Sequence, residues 1–466
     1  MSRDGTGGAG ALTRRAFLAG LGAAGGGAIL GACSSSRNPT AGRTSPTTTR
    51  LKATASTLAV GERPNLKAAA GSDQLPQFDH FVICMLENHS FDNMIGTIER
   101  GDGLTLGGNG LPTNTNPYGK GKLLRAFHMP TECQQVGHPS QDWNASHQQY
   151  DAGTCQGFAE SASGPVAMGY YDASDMPFTS GLARTFPISD RWFCSVLAQT
   201  LPNRRYLLAG TSLGLINDDL LDPLPPNGTI LQQFNRHGIS WRNYYSNEPS
   251  IYCWPGLLPV EGIGENVAAI SDFYTDCANG SLPQFSLVDP NFSVTSEEDP
   301  QDVQKGDVFL AGVVNAVMSS PSWDRILFMW TYDEHGGYYD HVPPPPAPTP
   351  DGVPPDLTST DVAGSFDRFG FRVPMGVVSA YARPDYVSHT ICDHTSMLKL
   401  LETKWNLPTL TRRDAAANDF LDMVDFGSPP AFAKAPKLPA PADPALRECS
   451  PGQAGTIPPP SAVLAS

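Results

Sequence analysis

Basic residues are scarce in this 466-residue chain: 31 Lys and Arg stand against 46 Asp and Glu, a formal charge of -15. With only 17% of residues charged, that balance argues against nucleic-acid binding and against electrostatic docking onto anionic lipid. Thiolate pairs are missing as well. None of the nine cysteines stands in a CxxC pair, which argues against a thiolate metal cluster. The apolar, glycine-rich stretch from Ala19 to Leu30 is too short for a typical membrane span, and no internal repeat is present. Proline and glycine are abundant, at 43 and 46, so much of the chain is loop.

The N-terminus reads as an address rather than as fold. Thr13-Arg14-Arg15-Ala16-Phe17-Leu18 is a twin-arginine export pattern, and Leu30-Gly31-Ala32-Cys33 resembles a bacterial lipobox whose cysteine becomes the lipidated first residue. Residues 1–32 are therefore assigned to a lipoprotein signal peptide and 33–72 to a flexible tether, Ser/Thr/Pro-rich from Ser34 to Thr49. A catalytic domain is expected over 73–426, followed by a Pro/Ala-rich tail over 427–466. Without Cys33 eight cysteines remain, an even number that suggests disulfides in an exported protein. Cys133–Cys155 and Cys253–Cys277 are the pairs nearest in sequence.

Phe78–Leu86 is an apolar run ending in Glu87-Asn88-His89-Ser90-Phe91-Asp92. Ile326-Leu327-Phe328-Met329-Trp330 runs likewise into Thr331-Tyr332-Asp333-Glu334-His335-Gly336-Gly337-Tyr338-Tyr339-Asp340-His341. Both read as buried strands delivering polar groups at their C-terminal ends. Further strands are expected at Arg325–Tyr332 and Val373–Ser379, and helices at Val308–Met318 and at Thr395–Trp405 capped by Asp393. Strands alternating with helices favour an α/β fold with a mostly parallel sheet covered on both faces.

Two strand ends thus present acids: Glu87-Asn88 and Asp333-Glu334. Four oxygen ligands suit a divalent cation, although a pair of carboxylates could also serve general acid/base chemistry, as in a glycosidase. A third element, Ser189 to Arg204, supplies the hydroxyl of Thr200 beside Asn203, Arg204 and a Pro that can open a helix. Helix N-termini bind phosphate, Arg complements it, and a metal can activate a hydroxyl.

Leu86 to Asp92 resembles the ENRSFD-type motif of the bacterial phospholipase C and acid phosphatase family of phosphoesterases. Gln199-Thr200-Leu201-Pro202-Asn203-Arg204 resembles that family's T-x-P-N-R turn, and Tyr332 to Gly337 with Asp340-His341-Val342 its YDEHGG…DHV signature. Phe369 to Pro374 and Asp393-His394-Thr395-Ser396 match two further segments in the same order. The resemblance implies a three-layer α/β/α sandwich of the alkaline-phosphatase-like type and a hydroxyl nucleophile that forms a phospho-enzyme intermediate. It implies Glu87, Asn88, Asp333 and Glu334 as ligands of a divalent metal ion, zinc or a harder ion such as calcium. Thr200 would be the nucleophile and His138 a contact to the phosphoryl group. His341 would be a general acid, with His335, Asn203 and Arg204 near the substrate.

Two positions depart from the family pattern. His89 stands where Arg is usual, and the His-Pro pair expected some way before Asp333 is replaced by Glu297-Glu298-Asp299-Pro300-Gln301-Asp302, so that either Asp299 or Asp302 takes its place or another histidine fills the space. The implied activity is hydrolysis of phosphatidylcholine-like lipids, with Trp143, Tyr170, Tyr171 and Trp192 available for a choline cage. The alternatives are an acid phosphatase on soluble monoesters and a surface lipoprotein without turnover. The expected setting is the outer face of a bacterial membrane or cell wall, reached by twin-arginine export and held through lipidated Cys33, or a released form. Neither a nucleic acid nor an obligate protein partner is expected.

Overall fold

The computed structural model describes residues 58–133, 139–220, 223–443 and 456–465. The signal peptide, Cys33 and His138 lie outside these residues. Eight strands form the main sheet: β1 (His80–Leu86), β2 (Ile188–Ser189), β3 (Trp241–Tyr245), β4 (Val267–Ala269), β5 (Phe285–Asp289), β6 (Ile326–Tyr332), β7 (Met375–Val378) and β8 (Val387–Ser388). Their order is β8-β2-β7-β6-β1-β5-β3-β4. β1 runs parallel to both β5 and β6, and β5-β3-β4 continues the parallel part. Only β7 is antiparallel to its neighbours β6 and β2. Every residue of β6 is buried, which explains its unbroken apolar run: a central parallel strand has two covered faces.

Nine α-helices are described: α1 (Phe91–Ile95), α2 (Trp143–Tyr150), α3 (Pro177–Thr185), α4 (Thr200–Ala209), α5 (Ile230–His237), α6 (Ile270–Asn279), α7 (Val303–Ser319), α8 (His394–Lys404) and α9 (Arg412–Ala416). On one face α4 packs with α5 and α8, and α8 with α9. There Phe81 of β1 meets Trp405 just past α8, ring centres 5.5 Å apart, and Phe234 of α5 meets Phe285 of β5 at 5.2 Å. The other face is covered by α7, which packs on β6 and against α3 and α6. Sheet and two helical layers make the expected sandwich. α8 starts where Asp393 and Ser396 form a capping box, as the sequence indicates. α7 begins five residues earlier than expected, because Asp302 caps it by accepting from the Gln304 amide at 3.0 Å. No helix among the described residues is long and apolar enough to cross a membrane.

Two sequence expectations change. The tether does not extend to residue 72: from residue 58 the chain is docked, with Gly61 N–H donating to Thr409 O and the Asn406 amide bonding the carbonyls of Asn65, Ala68 and Ala69. Within the tail, Val463–Ala465 pairs antiparallel with Lys122–Leu124. Neither close cysteine pairing forms. Cys155, Cys253 and Cys277 are free buried thiols, held as small apolar side chains in the core, whereas Cys133 is disulfide-bonded.

The loop after β6 is pinned by charge. Buried Arg372 donates from Nε to Asp340 at 2.9 Å and from Nη2 to Asp92 at 3.1 Å. His341 Nδ1 lies 2.7 Å from Asp92 and its Nε2 3.2 Å from Asp102. Burial opposes a charged imidazole, but the bond to Asp92 and the Asp92 and Asp340 carboxylates outweigh it and raise His341 to about 9. Because the folded value is raised, this contribution is complete below the unfolded pKa of about 6.5 and disappears as pH climbs through about 9. Chemical denaturation between those limits should therefore show stability falling by up to roughly 3 kcal/mol. An Asp92→Asn variant should start less stable and show a shallower fall. An equally steep fall in that variant would exclude His341 as the cause.

Candidate active site

The site begins with helical spacing. Thr200 opens α4, and Arg204, four residues on, lies on the same side one turn later. Asn203 points back instead: its Oδ1 accepts from the amides of Ser195 and Val196 at 2.8 and 3.1 Å, and its Nδ2 donates to Ala198 O and Gln199 O at 2.9 and 3.0 Å. It brackets the turn that presents Thr200, which differs from the substrate-facing place the sequence assigned to it. Ser195 Oγ donates to Asp393 at 2.8 Å, so the cap of α8 fixes the same turn.

Strand ends supply the rest. Asn88 follows β1 in the left-handed region, φ 68°, a costly conformation for a non-glycine residue. It places its Oδ1 3.4 Å from Thr200 Oγ1, bringing together motifs 112 residues apart. Asp333 follows β6; its Oδ1 accepts from the amides of Asn88 at 3.2 Å and Glu334 at 2.8 Å. Its Oδ2 takes Arg204 Nε at 3.0 Å. The Arg204 guanidinium also lies 3.9 Å from Glu87 Oε1 and 3.8 Å from Asp289 Oδ1. It therefore faces carboxylates rather than serving as the free anion receptor the sequence suggested.

Glu334 Oε2 accepts from the Gly336 amide at 2.7 Å, while its Oε1 is buried with no hydrogen-bond partner. Gly336 cannot carry a side chain: a Cβ there would sit 1.8 Å from the Asn88 carbonyl oxygen, and φ is +66°. The Gly-Gly pair thus brings backbone against backbone, joining the two strand ends.

Burial raises Asp333 to about 7 despite Arg204, with Glu87 adding to the rise. Glu334 is pushed well above the carboxylate range by burial and then by Asp333. Glu87, Asp289, Asp333 and Glu334 are all buried, and one guanidinium cannot neutralise them. An orphaned carboxylate oxygen, an Asn oxygen and a hydroxyl, with the last lone pair of Asp333, make a donor set that fits a hard or borderline divalent cation. Two tighter His/carboxylate groups place ligand atoms within 4.8 Å of one another, Asp92–Asp340–His341 and His128–Asp172–Asp175. The first is already occupied by the Arg372 cation, and the predicted quartet is not among these groups.

The remaining candidates bond to other partners. His335 is buried, its Nε2 2.7 Å from Gln149 Oε1 and its Nδ1 3.5 Å from Glu334, and burial lowers it to about 3, so it is neutral. His341 belongs to the Arg372 network. His89 lies between Asn93 and the Glu297 carbonyl, stacked on Tyr338. Asp302 is the α7 cap, and Asp299 accepts from the Tyr338 hydroxyl at 2.9 and 3.1 Å. Trp143, Tyr170, Tyr171 and Trp192 are buried, so they serve packing rather than an open choline cage.

Three polar residues escaped the sequence reading. Asp289 ends the run Phe285-Ser286-Leu287-Val288, the same apolar-then-acid pattern as the other two strand ends. Asp218 accepts from the Leu201 amide at 2.7 Å and so caps the first turn of α4; nothing in its loop sequence signals this. His394, noted only as part of a motif, donates from Nε2 to the Asp333 carbonyl at 2.7 Å, its Nδ1 buried without a partner.

A model of the phosphoesterase family matches residues 78–408. Phospholipase C B of Mycobacterium tuberculosis is 29% identical, covering 84% of this chain and 88% of its own length. Non-specific phospholipase C4 of Arabidopsis thaliana is 30% identical over 75% of this chain and 72% of that one. Among solved structures, a protein in the alkaline phosphatase superfamily from Vibrio parahaemolyticus aligns over 69% of this chain and 75% of that one, at 12% identity and a TM-score of 0.32. With its motifs gathered at two strand ends and one helix start, the chain belongs to the phosphoesterase family and is a hydrolase acting on phosphoester bonds.

Proposed function

We propose that the chain is a metal-dependent phospholipase C that hydrolyses phosphatidylcholine-like lipids to diacylglycerol and a phosphorylated headgroup. The observation carrying this reading is the approach of Thr200 Oγ1 to Asn88 Oδ1, 3.4 Å, at the start of a helix and beside a buried acidic cluster. Relatives named phospholipase C support the diester substrate. A divalent cation held by Asn88, Glu334 and Asp333, with Glu87 adjacent, would lower the pKa of the Thr200 hydroxyl and offset charge on the phosphoryl oxygens.

Thr200 Oγ1 attacks phosphorus, the bond from phosphorus to the glycerol oxygen breaks, and the diacylglycerol oxygen leaves with a proton. Water then cleaves the threonine–phosphorus bond and restores the hydroxyl. The α4 N-terminus favours negative charge at Thr200 throughout, and Asn203 keeps the nucleophile's turn rigid. His138, by resemblance, contacts the phosphoryl group. Export and lipidation at Cys33 would hold the enzyme at a membrane surface, raising its effective concentration on lipid.

Purified chain should turn over phosphatidylcholine faster than a soluble phosphomonoester; the reverse preference would favour the acid phosphatase alternative. Thr200→Ala should lower diester turnover by roughly 10³-fold or more with circular dichroism unchanged, and an active variant removes Thr200 as nucleophile. Separately, Glu334→Gln should weaken metal retention by about 10–100-fold or more, read as metal content after dialysis against a chelator. Unchanged content would take Glu334 out of the ligand set.

A further inference from the structure

The Arg204 guanidinium is buried, 3% exposed as a residue, at the point where three strand ends converge. Its Nε donates to Asp333 Oδ2 at 3.0 Å, and its Nη2 to the carbonyls of Leu86 at 3.2 Å and Met85 at 3.4 Å. The same Nη2 lies 3.9 Å from Glu87 Oε1, and Nη1 3.8 Å from Asp289 Oδ1. The plane of the group rests on the Phe292 ring, 4.9 Å to its centre. Behind it, Asp289 is itself fixed by Asn243 Nδ2 at 2.6 Å and the Ser250 amide at 2.7 Å. β1, β5 and β6 are thereby tied through one planar cation.

Resting on the metal-dependent reading above, we propose that Arg204 is a positioning residue for the cation site and not a receptor for the substrate phosphate. Asp333 has few free lone pairs: two backbone amides take Oδ1 and Arg204 takes one side of Oδ2. The guanidinium thus decides which oxygen of Asp333 faces a metal and in what direction. Its charge also limits the repulsion among the buried carboxylates of Glu87, Asp289 and Asp333 that surround it. Arg204 Nε and Nη2 are taken by Asp333 and the strand-end carbonyls, and Nη1 is directed at Asp289, 3.8 Å away, so the guanidinium is turned toward the protein's own carboxylates rather than toward a substrate phosphate. Asp289 acts one step further back, on Arg204 alone. Lysine keeps the charge but loses the fork that reaches β1, β5 and β6 together.

Two readouts separate this role from substrate binding. Metal release from the holoenzyme to a chelator is timed for wild type, Arg204→Lys and Asp289→Asn. Inhibition by inorganic phosphate is measured for each at saturating metal. Arg204→Lys should release metal about 10–100-fold faster, with the phosphate inhibition constant unchanged. Asp289→Asn should move the same way by less, and it supplies the comparison should Arg204→Lys fail to fold. A merely structural part would lower the folded fraction without speeding metal loss from folded molecules, and that result overturns the proposal. So does weakened phosphate inhibition with unaltered metal release, since it would put the guanidinium on the substrate. A wild-type chain that retains no metal overturns both this proposal and the functional reading, whereas the reversed pattern in variants of a metal-retaining wild type overturns the Arg204 assignment alone.

Discussion

Burying carboxylates is the constraint around which this molecule is arranged. Glu87, Asp289, Asp333 and Glu334 end or follow three adjacent parallel strands, and all are fully shielded from water. Each would be costly alone, because an interior offers no substitute for hydration unless a counter-charge and hydrogen bonds are supplied together. The fold supplies them from one direction: α4 brings Arg204 under the strand ends while its first residue, Thr200, stands beside Asn88. The spacing of a single helical turn therefore couples charge compensation to the presentation of the Thr200 hydroxyl. That the guanidinium falls short of neutralising four acids is what makes the pocket receptive to a cation.

A second buried arginine solves a different problem with the same chemistry. Arg372 holds Asp92 and Asp340, and His341 adds its own contact to Asp92. Here cations and anions come near to balance within the protein. Nothing is left for a metal to offset, although the ligand atoms of Asp92, Asp340 and His341 are close enough to hold one. Proximity of donor atoms alone is thus a poor guide to a cation site; the net charge left after the resident arginines are counted separates the two clusters.

Most of what the sequence revealed came from runs whose burial is two-sided. β1 and β6 are legible because a central parallel strand is apolar at every position and then turns abruptly acidic. β5 follows the same rule, yet Ser286 interrupts its short run, and so Asp289 passed unnoticed. α8 was legible from its cap, whereas α7 was misjudged at its start because Asp302 reads as a family position rather than as an N-cap. The distinction between Asn203 facing the substrate and Asn203 folded back on its own turn cannot be seen in a motif. It depends on five backbone groups of residues 195 to 199, placed only by the fold. The same holds for the cysteines: spacing suggested pairs, but residues set on different core elements stay apart as thiols.

The stretch Thr331–His341 shows how one short segment serves two charge systems. Asp333 is bonded to Arg204 and Glu334 to the Gly336 amide, whereas Asp340 and His341 join the Arg372 network. Between them Gly336 and Gly337, with φ of +66° and +77°, reverse the chain so closely that a Cβ at Gly336 would strike the Asn88 carbonyl oxygen. These glycines bring the β1 and β6 ends into contact. This contact fixes Asn88 in its strained conformation, and the Asp333 carboxylate accepting from the Asn88 amide helps to hold it there. A side chain at Gly336 would push the two strand ends apart and break the Asn88–Thr200 approach without touching any charged group. Asp333–His341, nine residues with three carboxylates and two imidazoles, are accordingly two half-sites joined by a hinge that has to remain glycine.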